Sequence, residues 1–212
     1  MQGQDCAAHP CRRSSRSDRT RQLRLASWSY RVSGPVEIRH LVRVGAKMLT
    51  HFGNGIPLMI NRQHNPIKPA LVEDGLIASI ITDGHHLTND VIKAVLRVKG
   101  DDVTIVVSDM TSVTGPKPGQ HTIYGGVRIT LESNNAVFLE DEEWFAGSAM
   151  TALQCANYLQ ELVEMGVLQK ICFYNPLRLL GLDPKTILTN VAPMLTVSRS
   201  GSLEIIDYED LY

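Results

Sequence analysis

What this sequence lacks narrows it before any motif is read. Charge is almost balanced, 21 Lys and Arg against 22 Asp and Glu for a net of −1, so nothing attracts the chain as a whole to nucleic acid or to an acidic membrane surface. No apolar run approaches the ~18 residues of a membrane span, and no secretory apolar segment opens the chain. The four cysteines form no disulfide framework: Cys6 and Cys11 sit in a polar head, and Cys155 and Cys172 fall in predicted helices. A reducing cytoplasm is the expected compartment. No internal repeat is visible.

With 43% hydrophobic residues among 212, the chain can bury one substantial core, or a modest one plus an appendage. Its organising stretch is residues 48–110, where three apolar, β-rich runs each end in reactive polar residues. The first leads to His51 and Asn54, the second (76–82) to Asp83-Gly84-His85-His86, and the third (103–107) to Ser108-Asp109. Short apolar runs without alternation read as strands buried on both faces, the habit of parallel sheets. In such sheets, and in β/α barrels above all, sites are built at the carboxyl ends of strands. A closed eight-unit barrel needs roughly 200–250 residues, and neither residues 1–32 nor 183–212 read as β/α units. The expected fold is therefore α/β, a partial β/α barrel of the TIM type with a small antiparallel β appendage.

The intervening segments fit this pattern. Residues 1–32, rich in Arg and Ser, read as a disordered head. Pro35 opens a helix that Gly45 closes. A long loop, 55–69, carries Arg62 and shapes a pocket. Thr88 caps a helix over 89–99, and Gly100 ends it. Residues 121–124, 127–132 and 136–139, divided by Gly125-Gly126 and Ser133-Asn134-Asn135, read as an antiparallel meander. A long helix is expected over 148–165, then a shorter one stopping at Asn175-Pro176. The barrel part spans 33–182, and the tail, 183–212, carries a β-hairpin. His64 and His121 read as surface residues, His85 as shaping its turn or facing solvent, and the acidic run 140–143 as a solvated turn.

From about Val36 to about Leu182 the chain resembles the carboxyl-terminal half of N-acetylglucosamine-6-phosphate deacetylases, members of the amidohydrolase superfamily. The resemblance rests on Thr50-His51-Phe52-Gly53-Asn54, Thr82-Asp83-Gly84-His85-His86, Val107-Ser108-Asp109, Phe145-Ala146-Gly147-Ser148-Ala149, Asn175-Pro176 and Leu180-Gly181-Leu182. It implies that His51 is a metal ligand and that Asn54 lines the substrate site. It further implies that Arg62 contacts the sugar phosphate, that His86 binds substrate near the scissile amide, and that Asp109 is the general acid/base. The implied cofactor is a divalent metal, zinc, with a ligand set that is incomplete in this chain. The implied substrate is an amino-sugar phosphate, and the implied assembly a homo-oligomer, a dimer.

These residue types suit the reaction. Asp109 could take a proton from an attacking water and return it to the departing amine. His86 could stabilise developing oxyanion charge. The planar fork of Arg62 matches a phosphate. The leading expectation is a deacetylase-type hydrolase present as a truncated chain. Two alternatives stand beside it: a non-catalytic remnant that binds a sugar phosphate or a protein partner, and an amidohydrolase with a different substrate.

Overall fold

The unbroken apolar runs become parallel strands. A computed structural model of the chain describes residues 24–26, 35–140, 142, 144–188, 194–198 and 200–206. Strands β1 (Arg24–Ala26), β2 (Ala46–Leu49), β3 (Ile77–Ile81) and β4 (Thr104–Val107) form one sheet in the order β1-β2-β3-β4, with every pair parallel. Sequence neighbours are therefore sheet neighbours. Their connections carry α1 (Pro35–Arg43), the short α2 (Ile67–Leu71) and α3 (Asn89–Lys99). The architecture is α/β, as expected.

Burial on both faces explains why β3 shows no alternation in sequence, since Ala78, Ser79, Ile80 and Ile81 are all buried. Ala78 and Ile80 join the helix-side core with Ile38 of α1 and Ile92 and Val95 of α3. The pleat turns Ser79 and Ile81 to the opposite face. Removing an isoleucine side chain from water contributes about 2 kcal/mol, so β3 anchors both sides of the sheet. The α3 boundaries are those expected: Thr88 Oγ1 accepts the Val91 N–H at 3.4 Å, and Gly100, at φ 85°, ends the helix. Lys99 reaches back from α3 and donates to the carbonyls of Ala70 and Glu73 at 3.1 and 2.7 Å.

The antiparallel appendage is also present, as β5 (Gly119–Ile123), β6 (Val127–Leu131) and β7 (Val137–Leu139). It closes over a separate small core of Val113, Ile129, Leu131, Val137 and Ala149. Of the acidic run 140–143, Asp141 and Glu143 lie outside the described residues, while Glu140 pairs with Arg128 at 2.5 Å.

Several expectations need correction. The head was expected to contain no strand, yet β1 lies within it. Three residues with a single large apolar side chain give no periodic signal, and only backbone pairing to β2 makes them a strand. The rest of residues 1–32 lies outside the described residues. The single long helix over 148–165 is instead α4 (Ala152–Leu159), followed by a break and then α5 (Met165–Gln169). Thr151 and Gln154 form a reciprocal capping box, which fixes the helix start and leaves 147–150 outside it.

Asn175-Pro176 does not stop the next helix either. A π-helical turn, Lys170–Tyr174, leads into α6 (Asn175–Leu180), with the proline in its first turn, where a missing N–H is tolerated. A further short helix, α7 (Pro184–Leu188), lies in the stretch expected as tail. The C-terminal hairpin is as expected, β8 (Met194–Val197) with β9 (Leu203–Ile206). Asn157 of α4 fixes it by exchanging two hydrogen bonds with the Leu203 backbone.

Candidate functional site

Parallel register sets the geometry. Ile81 pairs with Val107, so Asp83 and Asp109, each two residues on, leave the same edge of the sheet at the same level. Leu49 pairs with Ala78, which brings His51 out at that edge from the neighbouring strand. The carboxyl ends of β2, β3 and β4 thus carry His51, the Asp83–His86 turn and Asp109.

Ser79 fastens the first of these turns. The Ser79 hydroxyl donates to the Leu49 carbonyl at 3.0 Å and accepts the His51 N–H at 2.8 Å, while the Ser79 carbonyl accepts the Phe52 N–H at 2.7 Å. His51 is held in the left-handed region at φ 37°, sparsely populated by non-glycine residues. Two buried polar atoms face inward there, His51 Nδ1 and Asn54 Nδ2, and among the described residues neither has a hydrogen-bond partner. Orphaned buried polar atoms are rare and mark places where something else is meant to bind.

The second turn is fully satisfied. Asp83 Oδ1 accepts the N–H groups of His85 and His86, both at 3.0 Å, and Oδ2 meets His86 Nδ1 at 2.8 Å. Burial works to raise the Asp83 carboxyl, but the His86 hydrogen bond, backed by that residue's N–H and charge, outweighs it and holds the group well below the usual carboxylate range. An ionised carboxylate only accepts, so His86 Nδ1 carries a hydrogen and Nε2 is the nitrogen left for a ligand. Both side chains are buried, at 4% and 1% exposure. Sequence reasoning assigned no role to Asp83, although an Asp-Gly turn three residues ahead of a histidine is a legible signal for such a clamp.

His85 points the other way. Its Nε2 lies 2.8 Å from the Asn134 carbonyl, tying the β3 turn to the appendage. The His86 ring packs on Phe145 at a centroid distance of 4.6 Å, and Phe145 stacks on Phe138 of β7 at 4.8 Å. The appendage thereby forms one wall of the site.

Asp109 is exposed and sits at φ 52°. Its carbonyl accepts the Ser148 N–H at 3.0 Å. It caps no helix. Arg62 lies on the exposed part of the loop after β2. Buried Asn65 organises that loop, donating to the Asn61 carbonyl and accepting the Ile67 and Lys68 N–H groups. Among the described residues, no hydrogen bond or ion pair joins Arg62 to His51, His86 or Asp109.

No family model matches the chain. Curated relatives do. The N-acetylglucosamine-6-phosphate deacetylase of Bacillus subtilis is 25% identical over 140 residues, covering 66% of this chain and 35% of the relative. That of Lysinibacillus sphaericus is 24% identical over 155 residues, covering 72% and 39%. Among solved structures, the Mycobacterium smegmatis deacetylase superposes with a TM-score of 0.73 at 17% identity, covering 86% of this chain and 50% of that one. The Thermotoga maritima deacetylase gives 0.69 at 24% identity, covering 83% and 49%. This chain resembles part of an N-acetylglucosamine-6-phosphate deacetylase. It spans less than half the length of these curated relatives and about half that of the solved structures.

The deacetylase resemblance brings an expected metal, and the residues present can be tested against it. A catalytic zinc takes three protein ligands plus water. The buried, unpartnered His51 Nδ1 is a suitable first donor. Among the described residues, however, no three His, Cys, Asp or Glu are grouped to hold a metal ion. The donor set on these residues does not fit a catalytic zinc. No helix among them is long and apolar enough to cross a membrane.

Proposed function

We propose that this chain is a partial β/α barrel of the amidohydrolase type carrying the proton-transfer and sugar-binding side of an N-acetylglucosamine-6-phosphate deacetylase-like amide hydrolase. The sequential, all-parallel strand order supports the barrel reading, because a doubly wound sheet reverses its order at a switch point. The observation that carries the function is the pairing of buried, ionised Asp83 with His86 at the end of β3, level in register with Asp109 at the end of β4.

Each residue then has a task. Asp83 holds the His86 ring through Nδ1–H, and with a second hydrogen on Nε2 the ring donates Nε2–H to the amide oxygen and stabilises the charge that develops on attack. Asp109 accepts the proton of the attacking water and delivers it to the departing amine, work worth about 10²–10⁴-fold in rate. Asn54, with its buried amide unpartnered, hydrogen-bonds the sugar, and Arg62 on the exposed loop takes the phosphate. A divalent metal, zinc by the resemblance, needs donors beyond His51, so the described residues account for the proton and the sugar only. Among the described residues no further strand pairs with the outer edges of β1 and β4, and this, together with exposed Leu58 and Met59, favours a homo-oligomer, a dimer. Free thiols at Cys155 and Cys172 suit a reducing cytoplasm.

The lack of a metal-binding cluster among the described residues favours a second reading, a non-catalytic remnant that still binds the amino-sugar phosphate. One experiment separates the two: acetate release from N-acetylglucosamine 6-phosphate with and without added zinc, alongside calorimetric titration with glucosamine 6-phosphate. The hydrolase reading expects acetate release that falls by about 10³-fold in Asp109→Asn. Binding without release, abolished by His86→Ala, selects the remnant. Neither release nor binding overturns both.

A further inference from the structure

We propose that the segment Phe145–Ser148 is the positioning element that sets Asp109 relative to His86, and that Gly147 is the residue that permits it. The roles of Asp109 and His86 are those of the reading above; the brace itself stands on geometry. Asp109 is the least supported member of the site. Its side chain is exposed and, among the described residues, has no hydrogen-bond or ion-pair partner. Its backbone nevertheless occupies the left-handed region at φ 52°, a conformation a non-glycine residue keeps only when its surroundings impose it.

What imposes it is a return strand one rung long. The Ser148 N–H donates to the Asp109 carbonyl at 3.0 Å, and the Thr111 N–H donates to the Ser148 carbonyl at 2.9 Å. Met110 is thereby paired with Ser148 in parallel fashion and gripped on both sides. The Thr111 hydroxyl adds a third bond to the Ser148 carbonyl at 3.3 Å. Ser148 is itself buried at 1% exposure, with its hydroxyl accepting the Met150 N–H at 3.0 Å. At its other end the same segment presents Phe145 to the His86 ring at 4.6 Å. A stretch of four residues therefore touches the ends of both β3 and β4.

Gly147 makes the approach possible. It adopts φ 77°, and a Cβ there would lie 2.5 Å from Thr111 Cγ2 and 3.0 Å from the Asp109 carbonyl oxygen. The first distance is far inside any carbon contact, and the second presses on the atom that Ser148 holds. Any larger residue must push the return strand off β4 and release Asp109 from its imposed conformation. Gly147 is thus a positioning residue, touching no substrate.

The test compares Gly147→Ala, the double variant Gly147→Ala/Thr111→Ser, and Gly125→Ala. The double variant deletes the colliding methyl and keeps the hydroxyl. Gly125 has an equally positive φ of 86° with nothing within 4 Å of an added Cβ, so it supplies backbone strain without collision. In Gly147→Ala the Ser148 and Thr111 amides should exchange with deuterium about tenfold faster or more, with displaced backbone resonances at Asp109. In the acetate-release assay kcat should fall about 100-fold while KM changes about twofold at most. The double variant should recover about tenfold of the lost kcat, and Gly125→Ala should match the unmutated chain at these positions. Unchanged exchange and resonances at 109–111 and 148 in Gly147→Ala overturn the proposal, as does an equal response in Gly125→Ala. The double variant carries the same test where Gly147→Ala does not fold. A chain that releases no acetate in any form counts against the hydrolase reading, and the exchange and resonance data still decide the brace.

Discussion

The parallel sheet and the antiparallel appendage are built on opposite plans. β3 buries both faces, so its mid-strand polar group, Ser79, is spent on the backbone of the neighbouring strand's turn, and at its end Asp83 and His86 form a satisfied, buried pair. The appendage buries one face over five residues and leaves Tyr124 completely exposed at its β5–β6 turn. It carries no proposed acid, base or ligand, yet it supplies Phe138 and the return segment through Phe145 and Ser148. Strand ends in the parallel sheet carry the proposed reactive groups, and the appendage side lies against them through Phe138 and Phe145. That division suits a site whose chemistry needs fixed direction and whose walls have to admit a ligand.

The sharpest way to break this contrast is to hollow each core in turn. Ile80→Ala, at a fully buried position between the sheet and its helices, should cost about 3–4 kcal/mol in denaturant unfolding and lower the stability of the whole parallel region. Ile129→Ala, equally buried in the appendage, should leave hydrogen-exchange protection in β3 intact while protection in β5–β7 collapses. Equal loss in both sheets from either change would show a single cooperative unit.

Next in size is the charge clamp. Asp83→Asn should cost about 1–3 kcal/mol, because the amide can still accept the two N–H groups but opposes His86 with a donor. The folded carboxyl lies below its ordinary value, so its stabilising contribution is complete above the unfolded value of about 3.9 and is lost as pH falls below it. Melting curves from pH 6 down to pH 2 should therefore slope for the unmutated chain more steeply than for Asp83→Asn. Matching slopes would remove the clamp from the account.

Smaller again is the tie between the two regions. His85→Ala removes one hydrogen bond to the Asn134 carbonyl and should cost about 1 kcal/mol, with faster exchange confined to residues 132–136. The least effect is expected from the thiols. Burial pushes Cys155 and Cys172 up to about 12, so at pH 8 a thiol reagent should modify Cys155 only as fast as the chain unfolds. Rapid native-state labelling of Cys155 would show that the helix-side core opens on its own.

Much of this was legible in the residues. Apolar runs without alternation gave away β2, β3 and β4, and the Thr88 and Gly100 boundaries of α3 needed only capping chemistry. The meander was equally readable, because alternation and Gly-Gly or Asn-Asn turns are local. Three features were not. β1 has no pattern of its own and exists through pairing with β2. The helix expected to begin at Ser148 starts at Ala152, because Thr151 and Gln154 cap it and a backbone partner on β4 claims Ser148. The proline expected to stop the helix at Asn175-Pro176 instead falls in the first turn of α6, which continues from the π-helical turn before it.

The sequence by itself determined which residues could bear chemistry and the strand ends they would leave from, because backbone propensity and hydrophobic period act within a few residues of chain. Only the tertiary structure decided that Asp83 secures His86, that His51 keeps a buried nitrogen without a partner among the described residues, and that Asp109 is gripped by a segment almost forty residues downstream. Those outcomes come from groups distant in sequence meeting at one sheet edge, where desolvation and close contact, which no linear pattern encodes, set their charge and conformation.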